Sequence, residues 1–246
     1  MMEMTFHLCK RNGGVFVDKY SVEKSLDAWE TNAEFWDEQM GEHSNRFHRE
    51  VVRPKVTRLL DIQKGDFVLD IACGNGNYSA YLAQAGAQVV AFDYSPQMIA
   101  LAKKRQSSYR DRIEFCVADA TQEGQLFSLK RDRPYTKAVS NMAVMDITDV
   151  TKLFSCVYRL LADNGCFVFA TQHPCFVTLT EKYLTAHPYY GIAIEGQPVK
   201  QCYYHRSLQD IFQLCFESGF VIDGFFEESY GKKESPDIII VRARKL

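Results

Sequence analysis

The sequence predicts an α/β protein with a seven-stranded, mostly parallel sheet, a C-terminal antiparallel hairpin and an N-terminal helical appendage. Three observations support this fold class. From residue 65 onward, apolar runs of strand length alternate with amphipathic helical stretches, which is typical of a parallel sheet. The last two apolar runs have no helical stretch between them, which indicates a hairpin. Within residues 23–62, apolar residues recur at helical spacing.

The N-terminal appendage contains two amphipathic stretches. Apolar residues recur at helical spacing within residues 23–40 and again within residues 44–62. Pro54 lies inside the second stretch, where a proline ring kinks or divides a helix. The appendage is small, and the apolar faces of its helices need a partner. We therefore expect residues 1–63 to form a helical cap on a domain that spans residues 64–246.

The sheet domain follows in a regular order. Strands are predicted at residues 67–71, 88–92, 113–117, 136–140 and 166–171, and the final hairpin at residues 220–226 and 238–243. Helices are predicted at residues 76–84, 150–161 and 208–217, and one more from Ser95 onward. Ser95 and Pro96 mark that helix start, because serine caps a helix and proline suits its first turn. Asn164-Gly165 is expected to end the helix before strand five.

The segment 173–206 shows no clear periodicity and is rich in tyrosine. Long irregular segments inside compact domains often serve as lids or binding loops. Aromatic side chains supply apolar walls with a polar tip, which suits a small aromatic or amphipathic ligand. A packed surface loop or a contact between subunits would explain the same composition.

Composition excludes several classes of protein. The chain has 246 residues, a net charge of −2 and no apolar run long enough to cross a bilayer, so neither a nucleic-acid footprint nor a membrane segment is expected. None of the eight cysteines forms a CxxC pair, which disfavours a zinc ribbon. His43 and His48 are five residues apart, the wrong spacing for a metal pair on one helical face. These features favour a cytoplasmic protein without a metal site.

The strongest functional motif is Asp70-Ile-Ala-Cys-Gly-Asn-Gly76, which joins the first strand to a helix. Gly74 and Gly76 permit a tight turn and close approach of a ligand, although a tight turn without a ligand would also explain them. Asp93 ends the second strand, where a carboxylate can accept hydrogen bonds from ribose hydroxyls or cap the next helix. Asp119-Ala120 follows the third strand. Ligands of parallel sheets bind at these carboxyl ends.

These motifs together resemble the class I S-adenosylmethionine-dependent methyltransferases, which have a Rossmann-like fold, and most closely their small-molecule branch. Asn141-Met-Ala-Val after strand four and residues 160–169 extend the resemblance. Ala72 departs from it, since the family usually has a glycine there, and a slightly altered turn is expected. The resemblance implies S-adenosylmethionine as cofactor. It also implies a set of cofactor-binding residues: Asp70, Ala72, Cys73, Gly74, Gly76, Asp93, Tyr94, Met98, Asp119, Ala120, Asn141 and Met142.

Catalytic residues are less clearly marked. Methyl transfer from a sulfonium mainly needs alignment of the acceptor and exclusion of water, so no universal catalytic residue is expected. His173 at the end of strand five and His205 beside Arg206 are the catalytic candidates, although structural roles would explain both. Tyr20 is a candidate for a lid over the cofactor, with simple packing as its alternative.

The sequence thus predicts a methyltransferase that uses S-adenosylmethionine on a small-molecule acceptor. A methyltransferase-like fold kept as a binding or scaffold module is a second hypothesis. An NAD-linked oxidoreductase is a third, but the turn does not fit G-x-G-x-x-G, because Gly76 is followed by Asn77-Tyr78-Ser79. A nucleic-acid methyltransferase is disfavoured by the near-zero net charge.

Overall fold

The structure, a computed structural model, describes residues 19–177 and 179–246, with side chains from residue 22. Its main sheet contains β1 (Phe67–Ile71), β2 (Gln88–Asp93), β3 (Ile113–Val117), β4 (Tyr135–Asn141), β5 (Leu161–Gln172), β8 (Val221–Glu228) and β9 (Ile238–Arg244). These strands lie in the order β3-β2-β1-β4-β5-β9-β8. The first five are parallel, and β9 runs antiparallel between β5 and β8. The predicted fold class is confirmed.

Helices cover both faces of the sheet. They are α1 (Lys19–Met40), α2 (Arg53–Leu60), α3 (Asn77–Gln84), α4 (Pro96–Arg105), α5 (Glu123–Ser128), α6 (Thr151–Leu160) and α7 (Leu208–Glu217). A π-helical turn at His48–Val52 precedes α2, and 3-10 turns lie at Ser107–Tyr109 and Val144–Asp146. Apolar residues of α6 and α7 pack on one face of the sheet, and those of α2 and α3 pack on the other.

The second N-terminal helix is divided next to Pro54, as its sequence predicts. Proline has no N–H, so the regular hydrogen-bond ladder is interrupted, and Arg53 N–H donates to the carbonyl oxygen of His48 across a wide turn. Val56 and Leu60 on α2 are fully buried against the sheet. The packing of α2 makes it part of the core of the sheet domain.

The boundary between α6 and β5 differs from the prediction. Asn164-Gly165 does not end the helix, because β5 begins at Leu161, directly after α6. Leu161 pairs with Tyr135, and the next paired residue on β5 is Cys166, so residues 162–165 bulge out of the strand. Asn164 takes a left-handed φ of 63° within this bulge. Asparagine and glycine therefore mark a bulge here instead of a helix end.

Segment 173–206 is also more ordered than its sequence indicates. It contains β6 (His187–Gly191) and β7 (Gln201–His205), which pair antiparallel as a separate two-stranded sheet. All five residues of β7 are buried, whereas β6 alternates between half-buried and exposed residues. Tyr189 on β6 and Tyr203 on β7 are in ring contact in this small sheet.

Candidate functional site

A cavity of about 520 Å³ lies at the carboxyl ends of the parallel strands. This volume is within the range typical of small-molecule sites. We call one side of it the β2–β3 end, formed by residues 92–94, Met98 and residues 118–121. We call the other side the β4–β7 end, formed by Asp146, Thr148, Gln201 and Tyr203.

The turn after β1 forms the floor of the cavity and holds three residues with positive φ. Ala72 has a φ of 52°, Gly74 of 54° and Gly76 of 74°. A Cβ on Gly76 would lie 2.7 Å from Phe115 Cζ, so packing as well as backbone conformation requires glycine there. Ala72 occupies a left-handed conformation that an alanine adopts only at a cost. The altered turn expected at Ala72 therefore takes the form of a strained backbone conformation at this residue.

Asp70 and Asp93 are buried carboxyl groups on either side of this turn. Ser79 Oγ donates to Asp70 Oδ2 at 2.5 Å. Asp93 accepts from Gly74 N–H and Ser95 N–H, each at 3.0 Å, through different oxygens. Burial raises the pKa of Asp70 to about 7 and that of Asp93 to about 6, and hydrogen bonds oppose the rise at both sites. Asp93 thus fastens the turn and still lines the cavity.

The β2–β3 end is an apolar slot with a polar rim. Phe92, Met98 and Ala118 are buried along it. Asp119 Oδ1 accepts from both the N–H and the hydroxyl of Thr121, each at 2.8 Å. Tyr94 Oη lies 2.9 Å from Ser25 Oγ of α1. Such a slot suits a flat heteroaromatic ring with polar edges.

Helix α1 closes over the cavity and is fixed at three places. Arg105 Nη2 of α4 lies 2.5 Å from Asp37 Oδ2, and Asn75 Nδ2 donates to Asp37 Oδ1 at 2.9 Å. The side chain of Asn32 makes two hydrogen bonds to the backbone of Val199, at 3.0 and 3.1 Å. The cap is therefore tied to the glycine turn and to segment 173–206.

The β4–β7 end is built on a turn that Arg206 holds. The buried guanidinium of Arg206 donates to the carbonyl oxygens of Val144, Ile147 and Thr148, at 3.1, 2.5 and 2.8 Å. Burial lowers the pKa of Arg206 to about 10. The turn presents Asp146 and Thr148 to the cavity. Across from them, Tyr203 Oη donates to Gln201 Oε1 at 2.8 Å.

Most of the predicted cofactor-binding residues are brought together around the cavity. The residues that line it are Ala72, Asp93, Tyr94, Met98, Asp119, Ala120, Asn141 and Met142. Asp70, Cys73, Gly74 and Gly76 do not line it and instead shape the turn beneath it. The side chain of Tyr20 lies outside the described residues.

The two catalytic candidates are not placed at this cavity. His173 is buried, its Nε2 lies 2.8 Å from Glu227 Oε1, and its Nδ1 accepts from Cys175 N–H at 3.2 Å. His205 Nε2 lies 2.8 Å from the carbonyl oxygen of Tyr183. Neither histidine is among the residues that line the cavity. Their catalytic assignment stays a prediction, and the structure shows them in structural hydrogen bonds.

The structure brings forward residues that sequence reasoning missed. His48 lines the cavity from the π-helical turn, and its Nδ1 lies 2.8 Å from Asn45 Oδ1. Burial lowers the pKa of His48 to about 4, so its ring is neutral at pH 7. Asp146, Gln201 and Thr148 were also missed. The Asn-x-x-His spacing beside Pro54 and the acidic residue five positions after Asn141 were the available signals.

Three comparisons with known proteins bear on this site. Residues 68–165 match the family model described as a methyltransferase domain. The chain is 30% identical over 118 residues to malonyl-[acyl-carrier protein] O-methyltransferase of Pectobacterium atrosepticum, covering 48% of this chain and 43% of that protein. The chain spans less than half the length of the first curated relatives that it matches.

Solved structures agree on the fold. A putative S-adenosylmethionine-dependent methyltransferase from Listeria monocytogenes superposes with a TM-score of 0.63 at 20% identity, covering 78% of this chain and 96% of that one. Magnesium protoporphyrin IX methyltransferase from Synechocystis, with bound S-adenosylmethionine, gives a TM-score of 0.61 at 17% identity, covering 95% and 100%.

The cavity lies at the carboxyl ends of the parallel strands of a Rossmann-like sheet. Residues 68–165 match a methyltransferase domain, and the resemblance to class I S-adenosylmethionine-dependent methyltransferases predicted from the sequence is confirmed. Within the described residues, no helix combines the length and the apolar composition that a bilayer crossing needs.

Proposed function

We propose that this protein transfers the methyl group of S-adenosylmethionine to a small-molecule acceptor. The observation that carries the proposal is the position of Asp93. Its carboxylate lies at the end of β2, fastens the glycine turn through Gly74, and borders an apolar slot. This arrangement suits a ribose between a heteroaromatic base and an amino-acid tail.

The described residues fit this cofactor. Each oxygen of Asp93 accepts one backbone N–H and keeps a lone pair for a ribose hydroxyl. Phe92, Met98 and Ala120 would enclose the adenine, with Asp119 and Tyr94 near its edge. The buried Oδ1 of Asn141 has no hydrogen-bond partner within the described residues and would accept from the ammonium of the methionine portion.

Methyl transfer mainly requires the protein to align the acceptor and to exclude water. When bound, the cofactor supplies a methyl group on a sulfonium, which is already a good leaving group. The chain would hold the acceptor in line with that methyl group and keep water away. Helix α1 and segment 173–206 would do this, because their mutual hydrogen bonds through Asn32 close the cavity from above.

A small-molecule acceptor is favoured over a macromolecule. The cavity is covered by α1 and by segment 173–206, and the chain as a whole is slightly acidic. A nucleic acid would need an open basic surface to neutralise its phosphates. The expected partners are therefore the cofactor and a small acceptor. Within the described residues, no group of three or more potential metal ligands occurs.

Calorimetric titration tests the cofactor directly. We expect micromolar affinity for S-adenosylmethionine and S-adenosylhomocysteine, and no binding of NAD. Binding of NAD alone would replace the proposal with an oxidoreductase. Binding of neither nucleotide would favour a scaffold role.

A further inference from the structure

Three buried polar atoms on the wall of the β4–β7 end have no partners among the described residues. Asp146 Oδ1, Thr148 Oγ1 and Gln201 Nε2 have no hydrogen bond within residues 19–177 and 179–246. The first two belong to the turn after β4, and the third to β7, and all three residues line the cavity. A buried polar group without a partner costs stability, so native proteins rarely leave several together. Their shared position on one cavity wall indicates a ligand with matching polar groups.

The charge of the cavity wall limits what this ligand is. Four carboxyl groups line the cavity, from Asp93, Asp119, Asp146 and Asp237. The lysine that lines it, Lys233, is ion-paired with Asp237 at 3.2 Å. His48 is neutral at pH 7, because burial lowers its pKa to about 4. A carboxylate or phosphate on the acceptor would meet repulsion here, whereas a cation would meet attraction.

Asp146 is the carboxyl group best placed for that cation. Asp93 and Asp119 already accept hydrogen bonds from the chain, but Asp146 Oδ1 accepts none from the described residues. Burial, and next the charge of Asp93, raise the pKa of Asp146 well above its ordinary value. A nearby cation would relieve this cost and favour the ionised form.

Aromatic side chains share the cavity with Asp146. Tyr203 lines it, and the ring centroid of Tyr189 lies 5.4 Å from that of Tyr203. Trp29 and Trp36 line the same cavity, with ring centroids 5.3 Å apart. Aromatic faces attract organic cations and pack against flat apolar bodies. The guanidinium of Arg206 donates its hydrogen bonds to backbone carbonyl oxygens of the turn and not to Asp146. The carboxylate of Asp146 is therefore available to a ligand.

We propose that the β4–β7 end selects an acceptor that carries a basic amine on a flat apolar body, with Asp146 receiving the ammonium. Thr148 and Gln201 would complete the polar contacts of the bound amine. The Thr148 hydroxyl would accept or donate a hydrogen bond, and the Gln201 amide would donate one. Asp146 is thereby a specificity-determining residue. This inference rests on the proposed function, because it assigns the acceptor of that same site.

The test compares ligands of matched shape. The probes are 2-phenylethylamine, 2-phenylethanol and 3-phenylpropionate, titrated into the full chain with and without saturating S-adenosylhomocysteine. Both tryptophans of the chain line this cavity, so their fluorescence reports binding there. The variants are Asp146→Asn, which keeps the shape, and Asp149→Asn as the matched control. Asp149 lies in the same turn region but accepts from Thr151 N–H and does not line the cavity.

We expect the amine to bind the wild-type protein at least about tenfold more tightly than the alcohol, since a hydrogen bond to a charged group is worth that much. We expect the acid to bind most weakly. The preference for the amine should disappear in Asp146→Asn and persist in Asp149→Asn. Equal binding of amine and alcohol by the wild-type protein overturns the inference, and this comparison needs no variant to fold.

Titration of each variant with S-adenosylhomocysteine separates the two proposals. If the nucleoside binds and the amine preference is absent, only the acceptor assignment fails. If the wild-type protein does not bind S-adenosylhomocysteine, the proposed function fails. If Asp146→Asn weakens nucleoside binding and leaves the amine preference intact, Asp146 serves the ammonium of the cofactor and the inference is wrong.

Discussion

The two ends of the cavity differ in how their polar groups are satisfied. At the β2–β3 end, Asp93 and Asp119 each accept two hydrogen bonds from the chain, and the Thr121 hydroxyl donates to Asp119. At the β4–β7 end, buried polar atoms of Asp146 and Thr148 have no partner within the described residues. The polar groups of the first end are satisfied by the protein, whereas those of the second are free to bind the proposed ligand. The proposed function accounts for this difference, with the cofactor at the β2–β3 end and the methyl acceptor at the β4–β7 end.

The largest effect expected at the glycine turn is a pH dependence. The pKa of Asp70 is raised from 3.8 to about 7, so its contribution to stability is full below pH 3.8 and is lost as pH rises to about 7. Relative to wild type, Asp70→Asn should therefore gain on the order of 3 kcal/mol between pH 4 and pH 8. Urea unfolding at both pH values measures this difference.

The comparison with the variant is necessary because His48 acts in the opposite direction. Its pKa is lowered to about 4, so its contribution is present above pH 6.5 and is lost as pH falls. A constant difference between Asp70→Asn and wild type across this range would show that Asp70 does not titrate as inferred. The carboxyl group of Asp70 would then not have the raised pKa that its burial implies.

Gly76→Val tests whether the turn is rigid. Its Cβ would lie 2.7 Å from a ring carbon of Phe115 in a backbone conformation that valine avoids, so we expect a loss of about 3 kcal/mol. Gly124→Ala is the control, because its Cβ meets nothing within 4 Å in α5, and it should gain up to about 1 kcal/mol. Equal stabilities of the two variants in thermal unfolding would contradict a packed turn.

Asp93→Ala tests the β2–β3 end as a ribose site. Loss of the carboxylate removes two acceptors for hydroxyl groups, and we expect affinity for S-adenosylhomocysteine to fall by about 1–3 kcal/mol in calorimetry. Asp163→Ala, at an exposed position in the bulge of β5, should bind as wild type does. Unchanged affinity in Asp93→Ala would remove the ribose assignment.

The smallest effect is a matched pair of threonine substitutions, one at each end. Thr148→Val removes a buried hydroxyl without a partner and should raise stability by about 1 kcal/mol. Thr121→Val removes a hydroxyl that donates to Asp119 at 2.8 Å and should lower stability by a similar amount. The same sign for both variants in urea unfolding would erase the difference between the two ends.

Local patterns predicted most of the fold. Strand periodicity, Ser95 with Pro96, and the lack of a helix between the last two strands were sufficient for the sheet and its hairpin. The bulge at Asn164-Gly165 and the small β6–β7 sheet were missed. A bulge depends on pairing with Tyr135, and β7 is buried on account of its neighbours, so neither leaves a periodic signal.

The residues predicted to bind the cofactor lie around one cavity because they follow successive strands of the sheet, and their role in binding stays a prediction. Motif spacing does not show whether a residue touches the ligand or supports the turn. Asp70 and Gly76 support the turn, and only the packing around Ser79 and Phe115 reveals it.

By itself, the sequence determined the parallel sheet, the glycine turn and the carboxylate of Asp93, because these follow from local periodicity and chain connectivity. Only the tertiary structure decided which residues line the cavity together with Asp146. Asp146 and Gln201 are more than fifty residues apart along the chain and line the same cavity, because Arg206 ties the turn after β4 to the end of β7. Such a contact depends on long-range packing, so no spacing within either segment could predict it.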